Sequence, residues 1–438
     1  MGYSMDYSIK ELKFWNEKIE RLAEEKGLDF YPQEFEIISY EDMLGYESYL
    51  GMPSHYPHWS FGKTYERLKT LYKYNLTGLP YEMVINSNPS IAYLMKDNTL
   101  VLQILTMAHV YAHNDFFKNN RLFQEYTNAD LAVEMFKNHA GRIREYIKNP
   151  GIGYEKVESV LDAVHSIRYQ CGLKKRKKYE KTIEHQEEEE VEKKESDSLL
   201  QFLIDYGDCE EWEKDIIYIV MEETRYFIPQ IESKIINEGW ACWWHYQLLN
   251  DLDLDYGSHI DFLRIHNNVI SQYPGRINPY YLGFKIWDKI AKKTRDMKKL
   301  FEIRALERDS SFIRRYLDFD TCREMNLIQL EEQDRFYVIT ELADDEGWKS
   351  IRNYLAESVG MGRIPKIVVD DVIKSDNLLC LKQIYDGREL DVTYAFETLK
   401  YIVKLWGGKV SLDTVINKSP KRIICDKEFR ISLENIED

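Results

Sequence analysis

The 438-residue chain lacks several features that would assign it to a class at once. It has no run of about 18 apolar residues, so no membrane-spanning helix is predicted. Its six cysteines are scattered without a CxxC pair, so they are expected to be reduced and buried. The N-terminus shows no charged segment followed by an apolar one, as a secretory signal would. Together these absences predict a cytoplasmic protein.

An excess of positive charge is also lacking, although a local basic groove stays open. The net charge is −16, which argues against a general nucleic-acid binder. Hydrophobic residues make up 44% and charged residues 31% of the chain, as in an ordinary soluble protein. A chain of this length can bury a large core and is expected to form two domains.

The most informative segment is the run from Met107 to Asp115, which holds His109 and His113 four residues apart. Residues at this spacing share one face of a helix, so both imidazoles can reach a common point. This is the histidine spacing of the HExxH zinc helix. Val110, however, occupies the position at which a metallopeptidase carries its general-base glutamate. Metal binding is therefore predicted, while peptidase chemistry stays in question.

A second helical segment adds potential ligands. Glu238 and His245 are seven residues apart in the sequence that begins Glu-Gly-Trp-Ala, and so lie on one helix face. Zinc peptidases whose third ligand is a glutamate take it from a later helix packed beside the HExxH helix. His109, His113 and Glu238 would form a two-histidine, one-carboxylate set suited to Zn²⁺, or to Fe²⁺ or Mn²⁺.

A structural interpretation of the same residues stays open. An HxxxH pair arises often by chance, and a histidine on a helix face is usually a hydrogen-bonded core or surface residue. Glu238 could cap a helix or form an ion pair. The agreement between two separate segments is what favours a metal site.

Hydrophobic periodicity predicts an α+β protein in two parts. Residues 1–325 are expected to form a predominantly helical core with a short, zincin-like sheet and the metal site. In that core, a strand at residues 81–86 precedes the HxxxH helix and could position a substrate backbone as a zincin edge strand does. Residues 326–438 are expected to form a smaller α+β module with a mainly antiparallel sheet. Residues 174–198 are highly charged and are predicted to be a solvated helix or a disordered insertion.

Several long, aromatic-rich blocks resemble the SpoVR (stage V sporulation protein R) family over nearly the whole chain. They are Tyr31-Pro-Gln-Glu-Phe-Glu, Tyr56-Pro-His-Trp-Ser-Phe-Gly-Lys63, Tyr81-Glu-Met-Val-Ile-Asn-Ser-Asn-Pro89, Ala108-His-Val-Tyr-Ala-His-Asn-Asp-Phe-Phe-Lys-Asn-Asn120, Asn237-Glu-Gly-Trp-Ala-Cys-Trp-Trp-His-Tyr246 and Asn278-Pro-Tyr-Tyr-Leu-Gly-Phe284. Ala112 departs from the glycine that is usual in the family.

The resemblance implies a cytoplasmic bacterial protein linked to spore cortex formation, or to stress responses in bacteria that do not sporulate. It also implies a serine protein kinase and a von Willebrand-like protein as partners. The family brings no settled biochemical activity and shares the valine after the first histidine. It therefore does not supply the missing base.

Two functions of different class follow. The first is a metal-dependent amide or peptide hydrolase, with His245 as a fourth ligand or transition-state donor. Its base would be Glu82, Asp115 or Glu232, although Asp115 could instead orient a ligand imidazole. His58, Lys63 and Asn86 are predicted to line the substrate pocket. The second function is a non-catalytic scaffold that keeps a zincin-like fold and binds partner proteins.

Overall fold

The computed structural model of the chain describes residues 7–73, 82–172, 198–272, 277–333 and 336–436. They form a mixed α+β structure that is mostly helical and has small sheets, which confirms the predicted class at that level. The charged segment predicted over residues 174–198 lies outside the described residues, apart from Ser198.

The helices are α1 (Ile9–Glu25), α2 (Tyr40–Ser48), α3 (Trp59–Lys73), α4 (Leu100–Asn119), α5 (Arg121–Tyr126), α6 (Ala132–Lys148), α7 (Gly153–Ile167), α8 (Leu199–Tyr206), α9 (Glu211–Glu232), α10 (Lys234–Asp251), α11 (Tyr256–Val269), α12 (Pro279–Thr294), α13 (Met297–Leu306), α14 (Asp309–Tyr316), α15 (Phe319–Glu324), α16 (Gly347–Glu357) and α17 (Val392–Trp406). Within the described ranges, none of them is both long and apolar enough to cross a bilayer.

The strands are β1 (Gln33–Ile38), β2 (Glu82–Ile85), β3 (Ser90–Met95), β4 (Ile328–Gln333), β5 (Phe336–Leu342), β6 (Ile367–Ile373), β7 (Leu378–Gln383), β8 (Lys409–Ile416), β9 (Ser419–Cys425) and β10 (Ile431–Asn435). They form a three-stranded sheet in the order β1-β3-β2, a five-stranded sheet in the order β10-β9-β8-β7-β6, and the hairpin β4-β5.

The chain divides into two compact units that are not continuous in sequence. The first unit comprises Met1–His55, Trp59–Met135 and Pro229–Arg363. The second unit comprises Tyr56–His58, Phe136–Ile228 and Ile364–Asp438. These limits differ from the division near residue 326 that the sequence suggests. The two-domain division at that residue stays a prediction.

Helix α4 lies in the core of the first unit. Its N-cap is Thr99, whose hydroxyl accepts a hydrogen bond from the Leu102 backbone N–H at 3.4 Å. Every residue from Gln103 to Phe117 is buried, so the helix is covered on all sides. This burial explains why apolar residues surround its two histidines in the sequence.

Helix α10 packs against both α4 and α12. Its first turn is held by Asp309, whose carboxylate accepts hydrogen bonds from the backbone N–H groups of Ile235 at 2.9 Å and Ile236 at 2.8 Å. A carboxylate at this end satisfies amides that have no partner within the helix. The start of α10, and with it Glu238 one turn later, is thereby fixed.

The three-stranded sheet belongs to the same unit. Strand β3 pairs in parallel with β1 and antiparallel with β2, so β2 is an edge strand of this sheet among the described residues. The strand predicted at residues 81–86 is found as β2, although Tyr81 lies outside the described residues. Both β2 and β3 pack against α4, which brings the first residue of β2, Glu82, to the histidine helix.

The second unit contains the five-stranded sheet. Its pairs are antiparallel except for β7 and β8, which run parallel and are joined through α17. Helix α17 packs on β8 and β9 and also contacts α7. A helix against one face of a largely antiparallel sheet is the arrangement predicted for the C-terminal part of the chain.

Candidate metal centre

Four side chains of the first unit meet at one point. Glu82 is the first residue of β2, His109 and His113 lie one turn apart on α4, and Glu238 lies on α10. One ligand atom from each of the four residues lies within 4.8 Å of all the others. The structure thus brings together the three predicted metal ligands and one of the predicted bases.

The individual distances show how the four groups face each other. Nε2 of His109 lies 3.6 Å from Oε1 of Glu82 and 3.8 Å from Oε2 of Glu238. Nε2 of His113 lies 3.5 Å from the same Glu238 oxygen. Ligands of a tetrahedral zinc ion at about 2.0–2.2 Å are themselves about 3.3–3.5 Å apart. The site is therefore close to the size that such an ion requires.

Two buried carboxylate oxygens at this point support a cation site. Oε2 of Glu82 and Oε2 of Glu238 have no hydrogen-bond partner among the described residues. A buried polar atom without a partner costs about 1–3 kcal/mol, and more when it is charged. A divalent cation would satisfy both carboxylates and neutralise their charge, so the residues present fit a metal ion.

The pKa values of the two carboxyl groups are shifted in opposite directions. Burial, together with the nearby Glu238, raises the pKa of Glu82 well above its ordinary value. Burial would also raise the pKa of Glu238, but His109 and His113 outweigh it and lower that pKa to about 2. The pKa of Glu82 is thus the higher of the two, and the pKa of Glu238 the lower.

The pKa of His109 is also perturbed. Burial, followed by the neighbouring His113, lowers it to about 4. The imidazole is therefore neutral at physiological pH, which is the form that binds a metal ion.

Both histidines are oriented through their second ring nitrogen. Nδ1 of His113 lies 3.0 Å from Oδ1 of Asn237, and Nδ1 of His109 lies 2.8 Å from Nδ1 of His245. An amide oxygen only accepts, so the Asn237 contact places a proton on Nδ1 of His113 and leaves its Nε2 lone pair towards Glu238. Such partners fix the tautomer and the ring orientation of a metal-binding histidine.

His245 lies behind His109 and not beside the carboxylates. It was predicted as a fourth ligand or a transition-state donor, but its Nδ1 meets the ring nitrogen of His109 that faces away from Glu82 and Glu238. His109, Cys242 and His245 do form a second group of atoms within 4.8 Å of one another. Burial, then the charge of Glu238, raises the pKa of the Cys242 thiol well above its ordinary value, which disfavours the thiolate form in the metal-free protein.

Asp115 lies on another face of α4 from the two histidines. Its Oδ1 accepts a hydrogen bond from the Asp29 backbone N–H at 2.8 Å, and its Oδ2 accepts one from the Trp240 indole at 2.9 Å. Oδ2 is also 3.4 Å from Nε of the buried Arg304. These contacts tie α4 to its neighbours. They do not place Asp115 as the base or as a partner of a ligand imidazole.

The other candidate base is also placed elsewhere. Glu232 ends α9, and its Oε2 lies 3.5 Å from Nη1 of Arg308. Among the carboxylates predicted as a base, the structure therefore brings only Glu82 to the ligand group.

The predicted pocket residues have separate local contacts. His58 belongs to the second unit, where its Nε2 lies 3.2 Å from Oδ1 of Asp162. Lys63 is exposed on α3 and lies over the Trp59 ring. Asn86 is buried after β2 and donates a hydrogen bond to the Thr127 hydroxyl at 3.1 Å. Their role in a pocket stays a prediction.

Three further residues at the site had no assigned role: Asn237, His266 and Tyr280. Asn237 directly precedes Glu238. Its contact with His113 could not be predicted from the sequence, because it depends on how α10 packs against α4. The Tyr280 ring centroid lies 6.3 Å from that of His109. The charge of Glu238, followed by burial, raises the pKa of the Tyr280 phenol well above its ordinary value. The Asn-Pro-Tyr-Tyr sequence was a usable signal for this residue, whereas His266 had none.

Comparisons with known proteins cover almost the whole chain. The family model described as "SpoVR like protein" matches residues 6–198 and 172–364, and the one described as "SpoVR-like C-terminal domain" matches residues 365–417. The chain belongs to the SpoVR family. A relative in Escherichia coli (strain K12), named "Uncharacterized protein YcgB", is 33% identical over 474 residues, which span 93% of this chain and 92% of the relative. No solved structure matches the chain.

Membership of the SpoVR family confirms the resemblance based on the sequence blocks. The four residues of the candidate metal centre fall within the regions matched by the "SpoVR like protein" model. The names of the family and of the relative state no reaction, so the function must be argued from the site itself.

Proposed function

We propose that this SpoVR protein is a metal-dependent hydrolase of an amide or peptide bond, with the ion held by His109, His113 and Glu238. The observation that carries the proposal is the meeting of these three groups and Glu82 within 4.8 Å of one another. Two imidazoles and a carboxylate form a donor set that suits Zn²⁺, and equally Fe²⁺ or Mn²⁺. A bound cation would act as a Lewis acid towards a carbonyl group and would activate water.

Glu82 is the proposed general base, in place of the glutamate that Val110 replaces. The side chain of Val110 is aliphatic and fully buried within α4, so that position supplies no proton acceptor. The Glu82 carboxylate would take a proton from the attacking water as the water oxygen bonds to the carbonyl carbon. It would return that proton to the departing amine nitrogen as the C–N bond breaks. A carboxyl group whose pKa is raised is better matched to this exchange near neutral pH.

The edge position of β2 supports an extended peptide as the substrate. Among the described residues, β2 pairs with β3 alone, and Glu82 stands at its first position. A substrate backbone can add to such an edge, as in zincins, and would then run past the metal centre. The Glu238 side chain is 17% exposed, so the site is not sealed. A cytoplasmic location and kinase or von Willebrand-like partners belong to this proposal on family resemblance alone.

The proposal is tested with metal-loaded protein and a mixture of unstructured peptides of varied sequence, with cleavage products identified by mass spectrometry. Glu82→Gln should retain the metal and lose about a hundredfold or more of the cleavage rate, since it removes the base. Glu34→Gln, an exposed position on β1 of the same sheet, is the matched control and should cleave normally. Metal-loaded wild-type protein that cleaves none of the peptides would contradict a peptidase and favour the scaffold alternative, which the buried Val110 supports.

A further inference from the structure

Three histidines form a continuous hydrogen-bonded chain that starts at the metal centre. Nδ1 of His109 lies 2.8 Å from Nδ1 of His245, and Nε2 of His245 lies 2.7 Å from Nδ1 of His266. The three residues come from α4, α10 and α11, so the chain connects three helices. His109 and His245 are fully buried, and His266 is 2% exposed.

A metal ion on His109 would set the direction of both hydrogen bonds. A neutral imidazole carries one proton, so a histidine that binds a cation through Nε2 keeps its proton on Nδ1. Nδ1 of His109 then donates, and Nδ1 of His245 must accept. The proton of His245 is therefore on Nε2, which donates to Nδ1 of His266. Each ring can hold only one tautomer once the first is fixed.

The surroundings of His266 are apolar. Burial lowers the pKa of His266 to about 4, so this ring is neutral at physiological pH. The His266 ring packs against the rings of Tyr246 at 4.8 Å and Phe284 at 5.1 Å between centroids. A buried N–H group without an acceptor costs free energy. The acceptor that His266 provides therefore determines which nitrogen of His245 carries the proton.

We propose that His245 and His266 are positioning residues that hold His109 in its metal-binding tautomer. The inference rests on the proposed metal centre and extends it to a residue two hydrogen bonds away from the ion. The other ligand, His113, is held by the amide oxygen of Asn237, which can only accept. The tautomer of His109 depends instead on the imidazoles of His245 and His266, and an imidazole can donate or accept a hydrogen bond at either nitrogen. Loss of the His266 acceptor would let His245 turn its proton towards His109 and place the His109 proton on Nε2, where it blocks metal binding.

The test compares Co²⁺ affinity, measured by competition with a chromophoric chelator, in the full chain and its variants. His266→Phe removes the acceptor and should weaken binding by about tenfold to a hundredfold, as loss of outer partners of metal ligands does. His266→Asn places an amide oxygen near the position of Nδ1 and should restore affinity close to that of the wild type. His259→Phe, on the same helix and beside Phe262, is the matched control and should not change it.

A second measurement reads the tautomers directly. In Zn²⁺-loaded protein with ¹⁵N-labelled histidine, two-bond ¹H–¹⁵N correlations should show a proton on Nδ1 of His109 and on Nε2 of both His245 and His266. A proton on Nδ1 of His245 would overturn the inference.

The affinity outcomes separate this inference from the metal centre itself. Wild-type protein that binds Co²⁺, with His266→Phe binding it equally well, would overturn the hydrogen-bonded chain and leave the proposed function standing. Equal loss in His266→Phe and His266→Asn would show a packing role only and would also overturn it. Wild-type protein that binds no Co²⁺ would overturn both.

Discussion

Gly239 of α10 and Gly283 of α12 are in direct backbone contact. A Cβ atom built on Gly239 would lie 2.3 Å from the carbonyl carbon of Gly283, and one built on Gly283 would lie 2.2 Å from the carbonyl oxygen of Ile235. Real side chains do not approach so closely, so the two helices can cross at this distance only with glycine at both positions. The crossing lies next to Glu238 and positions the helix that carries Tyr280.

Gly239→Ala is therefore expected to push α10 away from α12 and to displace Glu238. The free energy of unfolding should fall by about 1–3 kcal/mol, as overpacking usually costs, and metal affinity should fall with it. Denaturant unfolding and Co²⁺ titration measure both effects. Gly62→Ala on α3 is the matched control, because a Cβ at Gly62 meets nothing within 4 Å. Equal stability of the two variants would contradict the close crossing.

The anchor of α10, Asp309, should give stability a specific pH dependence. Burial raises its pKa from 3.8 to about 7, despite two hydrogen bonds from backbone N–H groups. A carboxyl group with a raised pKa holds its proton more tightly in the folded state. Its contribution to stability is therefore complete at low pH and is lost as the pH rises from 3.8 to about 7.

Asp309→Asn resembles the protonated form and cannot titrate. In metal-free protein, the free energy of unfolding of the wild type should fall relative to that of the variant by about 1.4 kcal/mol per pH unit between about pH 5 and 7. Denaturant unfolding at several pH values measures this difference. If the difference in free energy of unfolding between wild type and variant does not change over this pH range, Asp309 is ionised throughout it, which would contradict this prediction.

Asp115 is expected to act in folding and not in catalysis. Asp115→Asn removes the negative charge beside the buried Arg304 and should reduce the free energy of unfolding by about 3–5 kcal/mol, as breaking a buried ion pair does. Chains that still fold should keep their metal content. Asp29→Asn, which disrupts only the partly exposed pair with Lys118, should cost less than about 1 kcal/mol. Loss of metal from folded Asp115→Asn protein would contradict this assignment.

Spacing, with the analogy to zinc peptidases, predicted which residues meet at the candidate metal centre. The four-residue separation of His109 and His113 places both rings on one face of any helix, whatever its neighbours, and the structure brings them to one point with Glu238. Strand β2 was also predictable, because its apolar and β-branched residues are followed by Asn-Ser-Asn-Pro. Local rules suffice for such features because they depend on residues close in sequence.

The orientation of the outer residues could not be predicted in this way. His245 shares a helix face with Glu238, but which nitrogen of the His109 ring it contacts depends on how α10 packs against α4. Asp115 follows His113 by two residues, which places it on a different face of α4, where Trp240 and Arg304 come from distant parts of the chain. The discontinuous second unit is beyond local rules for the same reason, since residues 136–228 and 364–438 pack together across a long separation.

The hydrogen bond from His113 to Asn237 should matter for metal affinity. Asn237→Leu removes the acceptor of the Nδ1 proton and should weaken Co²⁺ binding by about tenfold to a hundredfold. Asn237→Asp keeps an acceptor oxygen and should bind at least as tightly as the wild type. If the two variants bind Co²⁺ equally, Asn237 does not orient the ligand.

The metal content of the purified protein tests the central claim most directly. Wild-type protein purified without chelator should carry about one transition-metal ion per chain, measured by inductively coupled plasma mass spectrometry, since one set of ligands is present at the proposed centre. His109→Ala and Glu238→Ala should each lose that ion while remaining folded by circular dichroism. Equal, negligible metal in wild-type and variant proteins, even after incubation with Zn²⁺, Fe²⁺ or Mn²⁺, would contradict the account.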